Sequence, residues 1–206
     1  NRVIPQPLGV VGVIVPWNFP LNLSFCPLAA ILAAGNRAMV KMSENSKALA
    51  QVLMRVSPKY FSIEKLAFFG DGGGRGPGFS SLPFDHLLFT GSGATGRSVM
   101  ANAARNLTPV TLELGGKAPA IVGPDFPVKT AAERILWVKM FNAGQICTNV
   151  DYMFLPKGSE DEFVRHCRRL FAERFPDING QDYTSIIDER SFTRLQATLE
   201  DARTKG

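Results

Sequence analysis

The stretch Val10-Val11-Gly12-Val13-Ile14-Val15 leaves few folds open to this chain. A β-branched run with no polar alternation is the pattern of a strand covered on both faces. Two prolines in Pro16-Trp17-Asn18-Phe19-Pro20 then end the strand in a turn. Residues 21–34 read as a helix stopped by Gly35 in the C′ position. The alternation continues with a strand over 37–41, a helix from Ser46 through Leu49, Leu53 and Val56, and a strand over 65–69. Residues 70–78 are so rich in glycine that they read as a flexible loop. A strand over 86–89 and a helix over 94–106 follow. Strands alternating with helices at this spacing indicate an α/β fold, with a parallel sheet wound by right-handed crossovers and flanked by helices.

The texture changes after Pro109. Val110-Thr111-Leu112-Glu113-Leu114 reads as a strand ending in Gly115-Gly116-Lys117, and Ala120-Ile121-Val122 as a short one. Residues 128–141 read as a helix, 152–155 as a strand and 188–205 as a final helix. Between the last two, residues 159–175 form an amphipathic helix whose start, Ser159 with Glu162, has the spacing of a capping box. Its apolar stripe of Phe163, Cys167, Leu170 and Phe171 makes Cys167 a core residue.

Cys147 has a different setting. It follows the Gly144-Gln145 turn directly after the apolar helix, where a thiol stays partly exposed and nearby backbone N–H groups favour the thiolate. A thiolate in such a place suits covalent catalysis. Taken alone, the stretch favours the plainer alternative, a small buried hydrophobe. The three cysteines are widely spaced without a C-x-x-C pair, and there are two histidines. That pattern argues against a disulfide framework and against a metal site, and for a reducing, cytoplasmic compartment.

Gly91-Ser92-Gly93-Ala94-Thr95-Gly96 matches G-x-G-x-x-G between a strand and a helix, the context in which backbone N–H groups hold a dinucleotide pyrophosphate. Glu113 lies at the spacing of the acidic residue that binds the ribose in that fingerprint. The net charge of +5 comes from an excess of Lys and Arg before residue 110, which would draw a phosphate-bearing ligand. Those charges are scattered and not interleaved with aromatics, so nucleic acid is not the partner they suggest. The longest apolar run is far too short to cross a membrane, and no signal-peptide pattern opens the sequence. The chain starts without Met and close to its first strand, as an internal fragment of a longer protein would.

Three stretches at strand ends, residues 16–20, Lys41-Met42-Ser43-Glu44 and residues 112–117, occur in one order with Phe89-Thr90-Gly91-Ser92 and Gly144-Gln145-Ile146-Cys147, five stretches in all. As an ordered set they resemble the aldehyde dehydrogenase superfamily. Residues 83–89 and 147–152 are most similar to its coniferyl-aldehyde branch. The resemblance implies an NAD-binding domain over residues 1–115 and the beginning of a catalytic domain over 116–206. It makes Cys147 the nucleophile and Glu113 the general base, so that Glu113 no longer binds the ribose. Asn18 and the Cys147 N–H would form an oxyanion hole. Lys41 and Glu44 would contact the adenosine ribose, Ile14, Trp17 and Leu114 would border the cofactor, and Gly91, Ser92 and Gly96 would lie near the pyrophosphate. Glu44 would repel the extra phosphate of NADP, making NAD the cofactor, while Lys41 beside it leaves NADP open.

Phe19, Leu23, Cys26 and Phe141 would line an aldehyde tunnel, although apolar packing explains them equally. The sequence departs from the family pattern at Met42, where proline is usual, at Gly93, and in the glycine-rich loop. The reaction so implied is oxidation of a small, hydrophobic or aromatic aldehyde to a carboxylic acid by a parent enzyme that is a homo-oligomer. A semialdehyde dehydrogenase and a non-catalytic nucleotide-binding remnant of the fold are the alternatives.

Overall fold

A computed structural model describes residues 2–4, 6–72 and 74–206. The chain divides into two compact units, residues 1–115 and 116–206.

In the first unit, β1 (Val10–Ile14), β2 (Arg37–Lys41), β3 (Leu66–Phe69), β4 (His86–Gly91) and β5 (Val110–Leu114) form one sheet in the order β3-β2-β1-β4-β5. Every pairing in it is parallel. The β-branched run is the central strand, as its lack of alternation requires. Val11, Val13 and Val15 enter one core with Leu28, Val40, Met42, Leu53 and Phe68. Ile14 enters a second core with Phe79, Phe84, Leu87, Phe89 and Val99. The helices α1 (Pro20–Ala33) and α2 (Lys47–Val56) contribute Leu28, Ala50 and Leu53 to the first core. The second core receives Phe79 from α3 (Gly76–Ser80) and Val99 and Ala103 from α4 (Gly93–Ala104).

Two glycines in this unit are needed where they stand. Gly35 ends α1 at φ +89°, with its N–H bonded to the Leu32 carbonyl and the Asn36 N–H to that of Ile31. This is the paired-bond helix stop that a left-handed residue permits. A Cβ on Gly12 in β1 would lie 2.6 Å from the Phe84 ring and 2.8 Å from Leu87. Overpacking of this kind costs about 1–3 kcal/mol. Gly12→Ala is therefore expected to lower unfolding free energy by at least about 1 kcal/mol, read as a shift of the urea midpoint.

The second unit holds the parallel pair β6 (Ala118–Ile121) and β7 (Val150–Phe154), with α5 (Val128–Met140), α6 (Glu160–Arg174) and α7 (Glu189–Lys205). Ala131, Ala132 and Phe163 centre its core, and Ile135, Met153, Leu155 and Cys167 pack around them. No helix among the described residues is long and apolar enough to cross a membrane.

Two expectations are corrected. The glycine-rich segment is not loop throughout its length: Gly76-Pro77-Gly78-Phe79-Ser80 makes a helical turn. Pro77 has the φ a first helical turn needs, and Phe79 anchors the turn by packing on Phe84 with ring centroids 5.1 Å apart. At α6 the capping box does not form, because the Ser159 hydroxyl donates to the Pro156 carbonyl and caps no helical N–H. Three acidic residues, Glu160, Asp161 and Glu162, stabilise that end instead through the helix dipole.

Candidate active site

In the first unit, the candidate residues gather at the carboxyl edge of the sheet. Ile14, Lys41, Gly91 and Leu114 end β1, β2, β4 and β5, and Glu113 stands in register with Thr90. The strand order reverses between β1 and β4, and that switch point opens a crevice where α/β sheets receive ligands. The loop carrying Trp17 and Asn18 leaves β1 on one side, and Ser92 leaves β4 on the other.

Each side chain has a definite setting there. Ile14 is buried in the second core, and Trp17 and Asn18 are half-buried. The Asn18 side-chain oxygen accepts the Phe19 N–H at 3.1 Å, which directs its carbonyl end inward to the turn. Glu44 is exposed, Ser43 Oγ lying 3.4 Å from its carboxylate. Glu113 and Leu114 are exposed as well.

Ser92 caps α4: its Oγ accepts the Thr95 N–H at 3.2 Å. A Cβ at Gly91 would come within 2.6 Å of the buried Phe89 ring, and one at Gly96 would lie 3.0 Å from the exposed Leu114 side chain, which would have to shift slightly. Gly93 differs, for only the tip of Arg97, at 4.0 Å, lies near the place of its Cβ. The start of α4 thus presents backbone with little side chain over it, at the positive end of a helix dipole. That bare edge fits a dinucleotide.

Lys41 is the residue whose setting sequence reasoning missed. It is no solvated strand end: its Nζ lies 2.6 Å from Asp71 Oδ2, with side-chain exposures of 8% and 7%. Asp71 sits in the glycine-rich segment, where an Asp reads as an ordinary turn residue.

In the second unit, Cys147 is exposed, whereas Cys167 packs into the core and burial pushes its thiol above the ordinary range. An unusual turn presents Cys147. Asn142, Ala143 and Gly144 are all left-handed, at φ 52°, 52° and 76°. Two non-glycine residues in that region need support from their surroundings. Asn149 supplies it from beneath: its side-chain amide donates to the Gly144 carbonyl at 2.9 Å and the Lys139 carbonyl at 3.4 Å. Asn149 is 7% exposed, and its Oδ1 is a buried acceptor without a hydrogen bond. Gln145 ties the turn outward, donating to the Ser185 carbonyl at 3.1 Å and accepting the Ile187 N–H at 3.0 Å. Asn149 falls within the stretch 147–152 that carries the resemblance, but its bracing role arises only once three residues turn left-handed. Among the described residues no cluster of three or more His, Cys, Asp or Glu could hold a metal ion.

Comparison with known proteins adds a lineage to this geometry. The model of the family described as "Aldehyde dehydrogenase family" matches residues 1–206. The chain is 51% identical, over its whole length, to a Pseudomonas aeruginosa protein described as "Probable coniferyl aldehyde dehydrogenase". It is 50% identical over the same span to a coniferyl aldehyde dehydrogenase of another Pseudomonas strain. Both alignments span 43% of the relative's own length. Among solved structures, a Mycobacterium tuberculosis aldehyde dehydrogenase complexed with NAD+ superimposes with a TM-score of 0.87 at 32% identity. That match covers 97% of this chain and 42% of the other.

Proposed function

The chain belongs to the aldehyde dehydrogenase family, and from that premise we propose that its protein oxidises a hydrophobic or aromatic aldehyde, of the coniferyl-aldehyde kind, to the carboxylic acid with NAD as hydride acceptor. The observation that carries the reading is the exposed Cys147 thiol, set out by a braced left-handed turn while Cys167 is packed away.

The Cys147 thiolate adds to the aldehyde carbon, making a thiohemiacetal whose oxyanion is held by the Asn18 amide and the Cys147 N–H. Preorganised donors of this sort contribute about 3 kcal/mol to transition-state stabilisation. Gly91, Ser92 and Gly96, around the start of α4, would hold the pyrophosphate, Lys41 and Glu44 the adenosine ribose, and Ile14, Trp17 and Leu114 the cofactor's borders. NAD, when bound, supplies the hydride acceptor. Loss of hydride leaves the acyl group on sulfur as a thioester. Glu113 then takes a proton from water, the resulting hydroxide attacks the thioester, and the acid departs as the thiolate returns.

A substrate panel tests this on the intact protein, with cinnamyl-type aldehydes, benzaldehyde and short semialdehydes compared by the absorbance of reduced nicotinamide. The aromatic aldehydes are expected to give a kcat/KM at least about tenfold above the semialdehydes, the yield of a few apolar contacts. A preference for semialdehydes would overturn the substrate assignment.

A further inference from the structure

The buried Lys41–Asp71 pair bears on which nicotinamide cofactor the protein takes, a question that rests on the NAD reading given above. Every other ion pair among the described residues has at least one partner a quarter exposed or more. The Lys41–Asp71 pair alone has both partners below a tenth. Asp71 is fixed through both oxygens, since Oδ2 meets the ammonium at 2.6 Å and Oδ1 accepts the Arg75 N–H at 3.1 Å. A cavity of about 340 Å³ opens beside the pair, walled by Met39, Lys41, Phe69, Arg75, Phe79 and Leu82. Glu44 stands exposed three residues along the chain from Lys41.

NADP differs from NAD by a phosphate on the adenosine ribose, the part of the cofactor assigned to Lys41 and Glu44. An unpaired lysine there would attract that phosphate. A lysine already neutralised by a buried carboxylate does not, because drawing the ammonium away would leave the Asp71 charge buried without a partner. The charge left to face the ribose is then that of Glu44, which repels a phosphate. We propose that Asp71 is a positioning residue that selects NAD over NADP by holding the Lys41 ammonium. The residue that left NADP open in the sequence is thereby closed to it by a neighbour in the fold.

The test measures dissociation constants of NAD and NADP by titration calorimetry on the intact protein. Asp71→Asn is expected to shift the NADP-to-NAD affinity ratio at least about tenfold toward NADP, the yield of one freed charge near a phosphate. An unchanged ratio would overturn the proposal. Because Asp71→Asn leaves a buried cation unpaired and could fail to fold, Asp71→Ser, whose smaller side chain admits water to the ammonium, is measured beside it and is expected to shift the ratio the same way. Asp71→Glu retains a carboxylate for Lys41 and is expected to keep the parental ratio within about twofold. A shift toward NADP in Asp71→Glu as large as that in Asp71→Asn would show that the paired charge is not what selects, and would equally overturn the proposal. Absence of binding of either nucleotide to the parent would instead sink the NAD reading itself.

Discussion

Cys147→Ala is expected to reduce aldehyde oxidation by the intact protein more than about 10⁴-fold, the scale on which removal of a covalent nucleophile is felt. NAD affinity should stay within about twofold, because Cys147→Ala changes none of the residues proposed to hold the cofactor. The steady-state rate and a nucleotide titration on the same preparation separate the two quantities. The remaining cysteines sharpen the result. Cys26 is exposed on α1 with its Sγ 3.0 Å from the Asn22 side-chain oxygen, and Cys167 is a packing residue of the second core. Neither Cys26→Ala nor Cys167→Ala should remove the covalent step, although the second should cost some stability. Retention of turnover by Cys147→Ala would end its assignment as nucleophile.

Glu113→Gln should produce a different kind of defect. If Glu113 activates water, the thioester forms at its usual rate and then waits, so reduced nicotinamide appears as a burst of one equivalent. The following steady rate should fall about 10²–10⁴-fold, the range for loss of a general base. The ordinary dinucleotide fingerprint offers the rival assignment, with Glu113 on the ribose. That role predicts no burst and a weakened NAD affinity, so rapid-mixing kinetics and calorimetry together distinguish the two. Glu113 is exposed at the carboxyl edge of β5, where a carboxylate keeps access to water.

The fold was legible where apolar runs are bounded by strong stop signals. Residues 37–41 and 110–114 read as strands and form β2 and β5 with those bounds, because Gly35 and Pro109 punctuate the chain immediately upstream. Gly35 ends α1 as its place after the apolar periodicity demands. The family, too, could be read from the order of five short motifs, each weak alone. What escaped depends on contacts between distant residues. Phe79 turns a glycine-rich segment helical by reaching a core ring, and Asp71 becomes more than a turn residue by meeting Lys41 from a neighbouring strand's end. Ser159 had the spacing of a cap, but the Pro156 carbonyl took its hydroxyl. The left-handed Ala143 left no trace in composition, since Ala, unlike Gly and Asn, does not visit that conformation routinely.

The placement of β1 at the middle of its sheet bears on how the chain is made. Val11 pairs with Ala38 on one side and His86 on the other. On a ribosome the central strand emerges before both of its partners, and its β4 side waits on the order of several seconds at ordinary rates of synthesis. Until β4 arrives, one edge of a β-branched strand has neither hydrogen-bond partners nor side-chain cover, the condition under which nascent chains pair wrongly with one another. Such separated pairings also slow folding. This unit thus gains a hydrophobic centre well shielded when finished, and a nascent stage during which a holding chaperone would have most to protect.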